Sequence, residues 1–158
     1  MLAYFAYGSN TNIAMLRDYL RGLNVDTDFL REPERAILHG YRLRTNYLTS
    51  IGTGAANIEP ADGSHVEGAL LGISQSIHEA IRRKEGYPCR YVEQWVCVEL
   101  PTDGRTVPAF TYVVSTQCRL RTDALVSRAY RQSILQAARH IGFSPRYQSG
   151  LRSILRTA

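Results

Sequence analysis

Leu2-Ala3-Tyr4-Phe5-Ala6-Tyr7-Gly8-Ser9-Asn10 opens the chain, and its reading decides the rest. Leu2 to Tyr7 is a short apolar run ended by Gly8, the form of a buried strand. No basic region precedes it and no cleavage-site pattern follows, so it reads as a first strand and not as a signal peptide. Asn12 can cap a helix running to about Arg21, with Ile13, Leu16 and Leu20 on one face and Gly22 as its stop. Further out, Ala36 to Tyr47 and Ala55 to Ile58 have the composition of strands. Pro60, Asp62 and Gly63 predict a turn, and Val66 to Ile73 another strand. Ser76 followed by Glu79 is a capping box for a helix with Ile77, Ala80 and Ile81 along one stripe, ended by Gly86 and Pro88. Tyr91 to Leu100 and Thr106 to Ser115 predict a hairpin across Asp103-Gly104. Two helices close the chain. The first runs from about Asp123 to Ile141, with Tyr130, Ile134, Ala138 and Ile141 on one face. The second starts at Ser144-Pro145 and runs to about Leu155. Strands dominate the middle and helices the end, so the expected class is α+β with a mixed, barrel-like sheet.

A chain of 158 residues fits one domain, residues 1–158, with a core of its own. Its 44% hydrophobic and 21% charged residues are ordinary for a folded soluble protein. No apolar run approaches the roughly 18 residues of a membrane helix, so no membrane partner is expected. Cys89, Cys97 and Cys118 are an odd set without C-x-x-C spacing. That argues against a disulfide framework or a zinc site and fits a reducing cytoplasm. The net charge is +5, and all 19 cationic residues but Lys84 are arginine. The arginines beyond Arg119 stand singly among apolar positions, as on the wet face of amphipathic helices. The other reading of that end is a surface for nucleic acid or an acidic partner.

Two short features could carry chemistry. In Tyr7-Gly8-Ser9-Asn10, the glycine permits a sharp turn or a close backbone approach, and successive N–H groups there can bind a carboxylate or oxyanion. An ordinary strand-to-helix turn explains the same four residues. Glu85 falls in the last turn of a helix, where the dipole disfavours a carboxylate and suits Arg82, Arg83 and Lys84. A carboxylate in such a place has a raised pKa, as a general base near neutrality needs. The alternative is a solvated glutamate paired with a neighbouring arginine. The four histidines lack metal-ligand spacing, and no G-x-S-x-G is present. Cys89 has no identifiable histidine partner and reads as a plain cysteine.

Taken in order, several segments resemble the γ-glutamylcyclotransferases. Phe5 to Asn10 is similar to the family's aromatic-x-Y-G-S-N opening, and Glu85-Gly86 with the following Tyr91 to its Glu-Gly element. Between them, Ala56-Asn57-Ile58-Glu59-Pro60 and Val66-Glu67-Gly68 resemble its strand-turn-V-x-G segment. Ala109-Phe110-Thr111-Tyr112 resembles the next strand, and helical stretches opening at Tyr130 and Tyr147-Gln148 complete the likeness. Thr11 departs from the Leu that often follows the Asn, as does the continuation Tyr87-Pro88-Cys89. The resemblance implies a small mixed β-barrel with flanking helices and no metal or organic cofactor. It implies a γ-glutamyl amide substrate converted to 5-oxoproline and a free amine or amino acid, with Glu85 moving the proton. Tyr4, Tyr7, Gly8, Ser9, Asn10 and Tyr130 are the implied substrate contacts. Nucleic acid is not implied as a partner, and the oligomeric state, monomer or homodimer, stays open. Two alternatives accompany this reading. One is the same chemistry removing a γ-glutamyl protecting group from a natural-product intermediate; the other is a barrel that only binds a γ-glutamyl or other small ligand.

Overall fold

A computed structural model describes all residues, 1–158. Its strands are β1 (Leu2–Ala6), β2 (Glu34–Leu48), β3 (Gly54–Ile73), β4 (Tyr91–Leu100) and β5 (Arg105–Val114). The helices are α1 (Ile13–Gly22), α2 (Gln75–Glu85), α3 (Arg128–Ile141) and α4 (Pro145–Ile154), with a single 3₁₀ turn at Ser9–Thr11. The strands close into a barrel in the order β1-β3-β2-β4-β5. The β1–β5 contact, Tyr4 opposite Phe110, is parallel, and the other pairings are antiparallel. This is the mixed barrel with flanking helices expected from the strand-rich middle and helical end.

The alternation of β1 divides the core in two, because successive side chains of a strand point to opposite faces. Phe5 packs with Leu38, Val98, Ile134 and Leu151, the last two from α3 and α4. Tyr4 and Ala6 pack with Leu16 and Leu20 of α1 and with Ile77 and Ile81 of α2. Both faces of the first strand are therefore covered, as an unbroken apolar run requires. Buried Glu67 of β3 accepts from Arg35 Nε at 2.7 Å and from Ser144 N–H at 3.0 Å, anchoring the cap of α4 to the barrel. No helix is long and apolar enough to cross a membrane.

Three local expectations are corrected. Pro60 to Gly63 do not reverse the chain, for β3 runs through them as one strand. Gly40 (φ +79°) and Gly63 (φ +76°) instead lie within a register shift, between His39 and Tyr41 on β2 and between Pro60 and His65 on β3, so glycine here permits a bulge. The α2 cap is Ser74, whose hydroxyl accepts from the Ile77 N–H at 3.3 Å, and not Ser76 of the apparent capping box. Finally, α3 begins after Ser127, which caps it through the Tyr130 N–H. Asp123 is drawn away to Arg44 Nε at 2.7 Å and the Thr45 N–H at 3.2 Å.

Candidate active site

The C-terminal ends of β1 and β5 and the start of β4 lie together, because β1 and β5 run parallel and β4 pairs antiparallel to β5. That convergence gathers Tyr4, Gly8–Asn10, Tyr91 and Tyr112, while the end of α2 delivers Glu85. Gly86 adopts the left-handed conformation (φ +68°) and ends α2 one residue later. The side chains surround a narrow cavity of about 30 Å³, room for one water, lined by Tyr4, Tyr7, Gly8, Ser9, Asn10 and Glu85 together with Ala56, Tyr91 and Tyr112. A wider pocket of about 210 Å³ shares Ser9, Glu85 and Tyr91 with it and adds Tyr130, Lys84 and Arg90. All the residues expected at the site are thus brought together, Tyr130 on the wider side.

Asn10 organises the inner cavity. Its buried amide Nδ2 donates to Glu85 Oε1 at 2.9 Å and to Tyr4 Oη at 3.0 Å. Its Oδ1 accepts from Lys84 Nζ. A donor group facing a carboxylate and an oxygen facing an ammonium leave the amide one orientation. The wall opposite is built on Ala56, whose N–H donates to Tyr130 Oη at 2.8 Å and whose carbonyl accepts from Tyr91 Oη at 2.8 Å. Tyr7 Oη donates to the Tyr112 carbonyl at 2.5 Å. A Cβ on Gly8 would stand 3.2 Å from Ala56 Cβ and 3.4 Å from Tyr130 Oη, so the glycine is there for close approach between the two walls. The Ser9 and Asn10 N–H groups open the 3₁₀ turn and make none of its closing bonds, which come from Thr11 and Asn12.

Burial raises the Glu85 pKa, and the Lys84 charge, the Asn10 hydrogen bond and the Arg90 charge oppose it. Removal from water is the first cause, one that the sequence reading, resting on the helix dipole, does not invoke. Nor is Glu85 a solvated glutamate in an ion pair, since its direct partner is the neutral Asn10 amide. Tyr4, Tyr7, Tyr91 and Tyr130 are all pushed far up, by burial first, with the Glu85 charge adding to it. They are neutral hydroxyls at physiological pH. Burial lowers the Lys84 pKa, against the opposing pull of Glu85.

Sequence reasoning missed Ala56, Tyr91, Tyr112, Lys84 and Arg90 as lining residues. Lys84 carried a signal, as the one lysine among eighteen arginines, but its place in a cationic last turn assigned it to solvent. Tyr112 is held from behind by a compact network. Its Oη donates to Glu93 Oε1 at 2.8 Å, and Glu93 is also bound by Arg82 at 2.7 and 2.8 Å and by His78 Nε2 at 2.6 Å. The Arg82 hydrogen bonds lead in holding the Glu93 pKa down to about 2. Cys89 is exposed and lines neither cavity. No group of three His, Cys, Asp or Glu side chains is placed to hold a metal ion.

A family model described as gamma-glutamyl cyclotransferase, AIG2-like, matches residues 4–132. The chain belongs to this γ-glutamyl cyclotransferase, AIG2-like family. A solved structure named gamma-glutamyl cyclotransferase is 24% identical with a TM-score of 0.81, covering 99% of this chain and 89% of its own. YkqA from Bacillus subtilis is likewise 24% identical with a TM-score of 0.81, covering 99% of this chain and 56% of its own. A yeast γ-glutamyl cyclotransferase specific to glutathione is 12% identical with a TM-score of 0.71, over 98% of this chain and 95% of its own. These three share the fold. Comparison with curated protein sequences finds no match.

Proposed function

We propose that the protein cleaves γ-glutamyl amides by intramolecular cyclisation, releasing 5-oxoproline and the free amine. The observation that carries this reading is one half-buried carboxylate, Glu85, bonded to Asn10 at an inner cavity otherwise walled by neutral hydroxyl and amide groups. The substrate supplies its own nucleophile. Its α-amino nitrogen forms a bond to its γ-carbonyl carbon, and the bond from that carbon to the departing nitrogen breaks. Holding the glutamyl chain folded turns orientation into rate. Glu85 accepts the proton that the attacking nitrogen sheds and returns it to the departing nitrogen, a task for a carboxylate whose pKa lies nearer neutrality. The Ser9 and Asn10 N–H groups, with the Asn10 amide close by, face the developing oxyanion and the glutamyl α-carboxylate. Tyr4, Tyr7 and Tyr130 enclose the folded chain. Family membership supports the reaction class, and the geometry supports these roles.

The test is incubation with γ-glutamylalanine in ¹⁸O-labelled water, beside its N-acetylated form. The expected product is 5-oxoproline without label, and the acetylated compound stays intact because its nitrogen no longer attacks. Glutamate as first product, label in the lactam carbonyl, or cleavage of the acetylated compound would replace cyclisation by hydrolysis.

A further inference from the structure

The wider pocket carries a charge that the proposed chemistry does not use. Lys84, Glu85 and Arg90 are the charged groups of its lining. Glu85 and Lys84 are both committed to Asn10. Arg90 is committed to nothing. Its guanidinium has neither ion pair nor hydrogen bond, as is true of many surface arginines here, but Arg90 is the arginine that lines this pocket.

Its main chain, by contrast, is clamped. The Arg90 N–H donates to the Gly86 carbonyl at 2.9 Å, and its own carbonyl accepts from the Ser115 N–H at 2.9 Å. The side chain folds back over Gly86, where a Cβ would stand 2.0 Å from Arg90 Nε and 2.7 Å from Nη2. Glycine at this position therefore leaves the space in which the guanidinium lies, beside Glu85 and at the pocket wall. An exposed, unpaired guanidinium with its base fixed presents a planar fork of N–H donors suited to a carboxylate.

Resting on the γ-glutamyl reading above, we infer that Arg90 determines specificity by binding a carboxylate on the leaving group. With the glutamyl moiety held in the mouth of the wider pocket between Ser9 and Tyr130, and its γ-carbonyl beside Glu85, the departing nitrogen and its substituents extend along that pocket towards Arg90. The favoured substrates are then γ-glutamyl α-amino acids or short peptides, whose carboxylate lies close to the cleaved bond. Neutral amines are poorer leaving groups here, and a leaving group with a second, cationic amine meets Lys84 and Arg90 as like charges.

Three probes of similar size separate the possibilities: γ-glutamylalanine, γ-glutamylethylamide and mono-γ-glutamyl-ethylenediamine. The expected order of kcat/KM is alanine, ethylamide, diamine, with about tenfold or more between the first two. Arg90→Ala brings the alanine-to-ethylamide ratio close to one, chiefly through KM for γ-glutamylalanine, and Arg90→Lys retains part of the preference. Arg90→Glu raises the diamine relative to alanine. Arg90 is exposed and bonded only through its backbone, so these variants fold, which their thermal midpoints report. A wild-type ratio near one overturns the inference, and so does Arg90→Ala lowering both substrates equally, the signature of binding to the glutamyl half. 5-Oxoproline from every probe at one rate removes only this inference. 5-Oxoproline from none removes the cyclotransferase reading and this inference with it.

Discussion

Replacing Glu85 by Gln tests the proposed proton transfer and the cost of burying a charge in one variant. Gln is nearly isosteric, and its side-chain carbonyl still accepts from Asn10 Nδ2, which lies 2.9 Å from Glu85 Oε1 in the wild type. The cavity lining therefore persists while the titrating group is lost. Loss of general acid–base catalysis lowers turnover by roughly 10²- to 10⁴-fold, about 3 to 5 kcal/mol of transition-state stabilisation. KM should change little, because the glutamyl contacts are retained. Stability should move the other way. Burial raises the folded-state pKa of Glu85 above its ordinary 4.5, so the folded protein holds this proton where the unfolded chain has released it. Below 4.5 both states are protonated and the group costs nothing. As pH rises through the folded pKa, the ionised carboxylate becomes a growing burden on the native state. Glu85→Gln should thus unfold at a higher temperature than wild type at about pH 7, with the difference closing below about pH 4. Steady-state kinetics and differential scanning calorimetry at the two pH values measure both effects. Turnover within a few-fold of wild type removes Glu85 from the mechanism. Equal midpoints at both pH values would show that its charge is not disfavoured by burial.

Three further outcomes are expected. Lys84→Met removes a cation that favours the ionised form of Glu85, so the acidic limb of the kcat/KM profile should move to higher pH; an unmoved limb would separate Lys84 from Glu85. Tyr130→Phe leaves the Ala56 N–H without its 2.8 Å partner and should lower stability by about 1 to 3 kcal/mol in urea titrations, against no change if water replaces the hydroxyl. Gly8→Val drives a branched side chain against Ala56 and Tyr130, 3.2 and 3.4 Å from the first added carbon. Activity should be lost with a modest fall in thermal midpoint; normal turnover would return Gly8 to an ordinary turn.

What could be read from the sequence follows the range of the interactions involved. The β1 strand, the Asn12 cap of α1 and the Gly86 stop of α2 depend on neighbours within a few residues, and each stands where the pattern puts it. The short contexts of Gly8–Asn10 and Glu85 each allow a plain structural reading as well, and it is the ordered resemblance along the chain that joins them into one site. The misreadings came where distant partners decide. Pro60 to Gly63 carry turn residues, yet β2 pairs along both sides of them and makes the turn a bulge. Asp123 would open a helix but for Arg44 and Thr45, 79 and 78 residues earlier in the chain. Ala56, Tyr91 and Tyr112 join the cleft only through barrel closure, a long-range event that local periodicity does not encode.

The character of the site follows from the same closure. Tyr4, Tyr7, Tyr91 and Tyr112 come from three strands of the barrel and its first loop, and Tyr130 from the first turn of α3. Because burial raises every one of their pKa values, none exchanges a proton near neutrality. The cleft thus contains many hydroxyls but a single acidic group with a pKa displaced towards the working range. For a reaction in which one proton must leave one nitrogen and reach another, that scarcity is useful, since a second carboxylate would compete for the proton and repel the first. Asn10 completes the arrangement. It ties Glu85 to Lys84 through a neutral amide, so the carboxylate keeps an orientation without being locked into an ion pair that would pull its pKa down as Arg82 does to Glu93. The two glutamates, eight residues apart in sequence, show the contrast: one is paired directly with a guanidinium as a strut behind Tyr112; the other is bonded to an amide, as the proposed proton transfer needs.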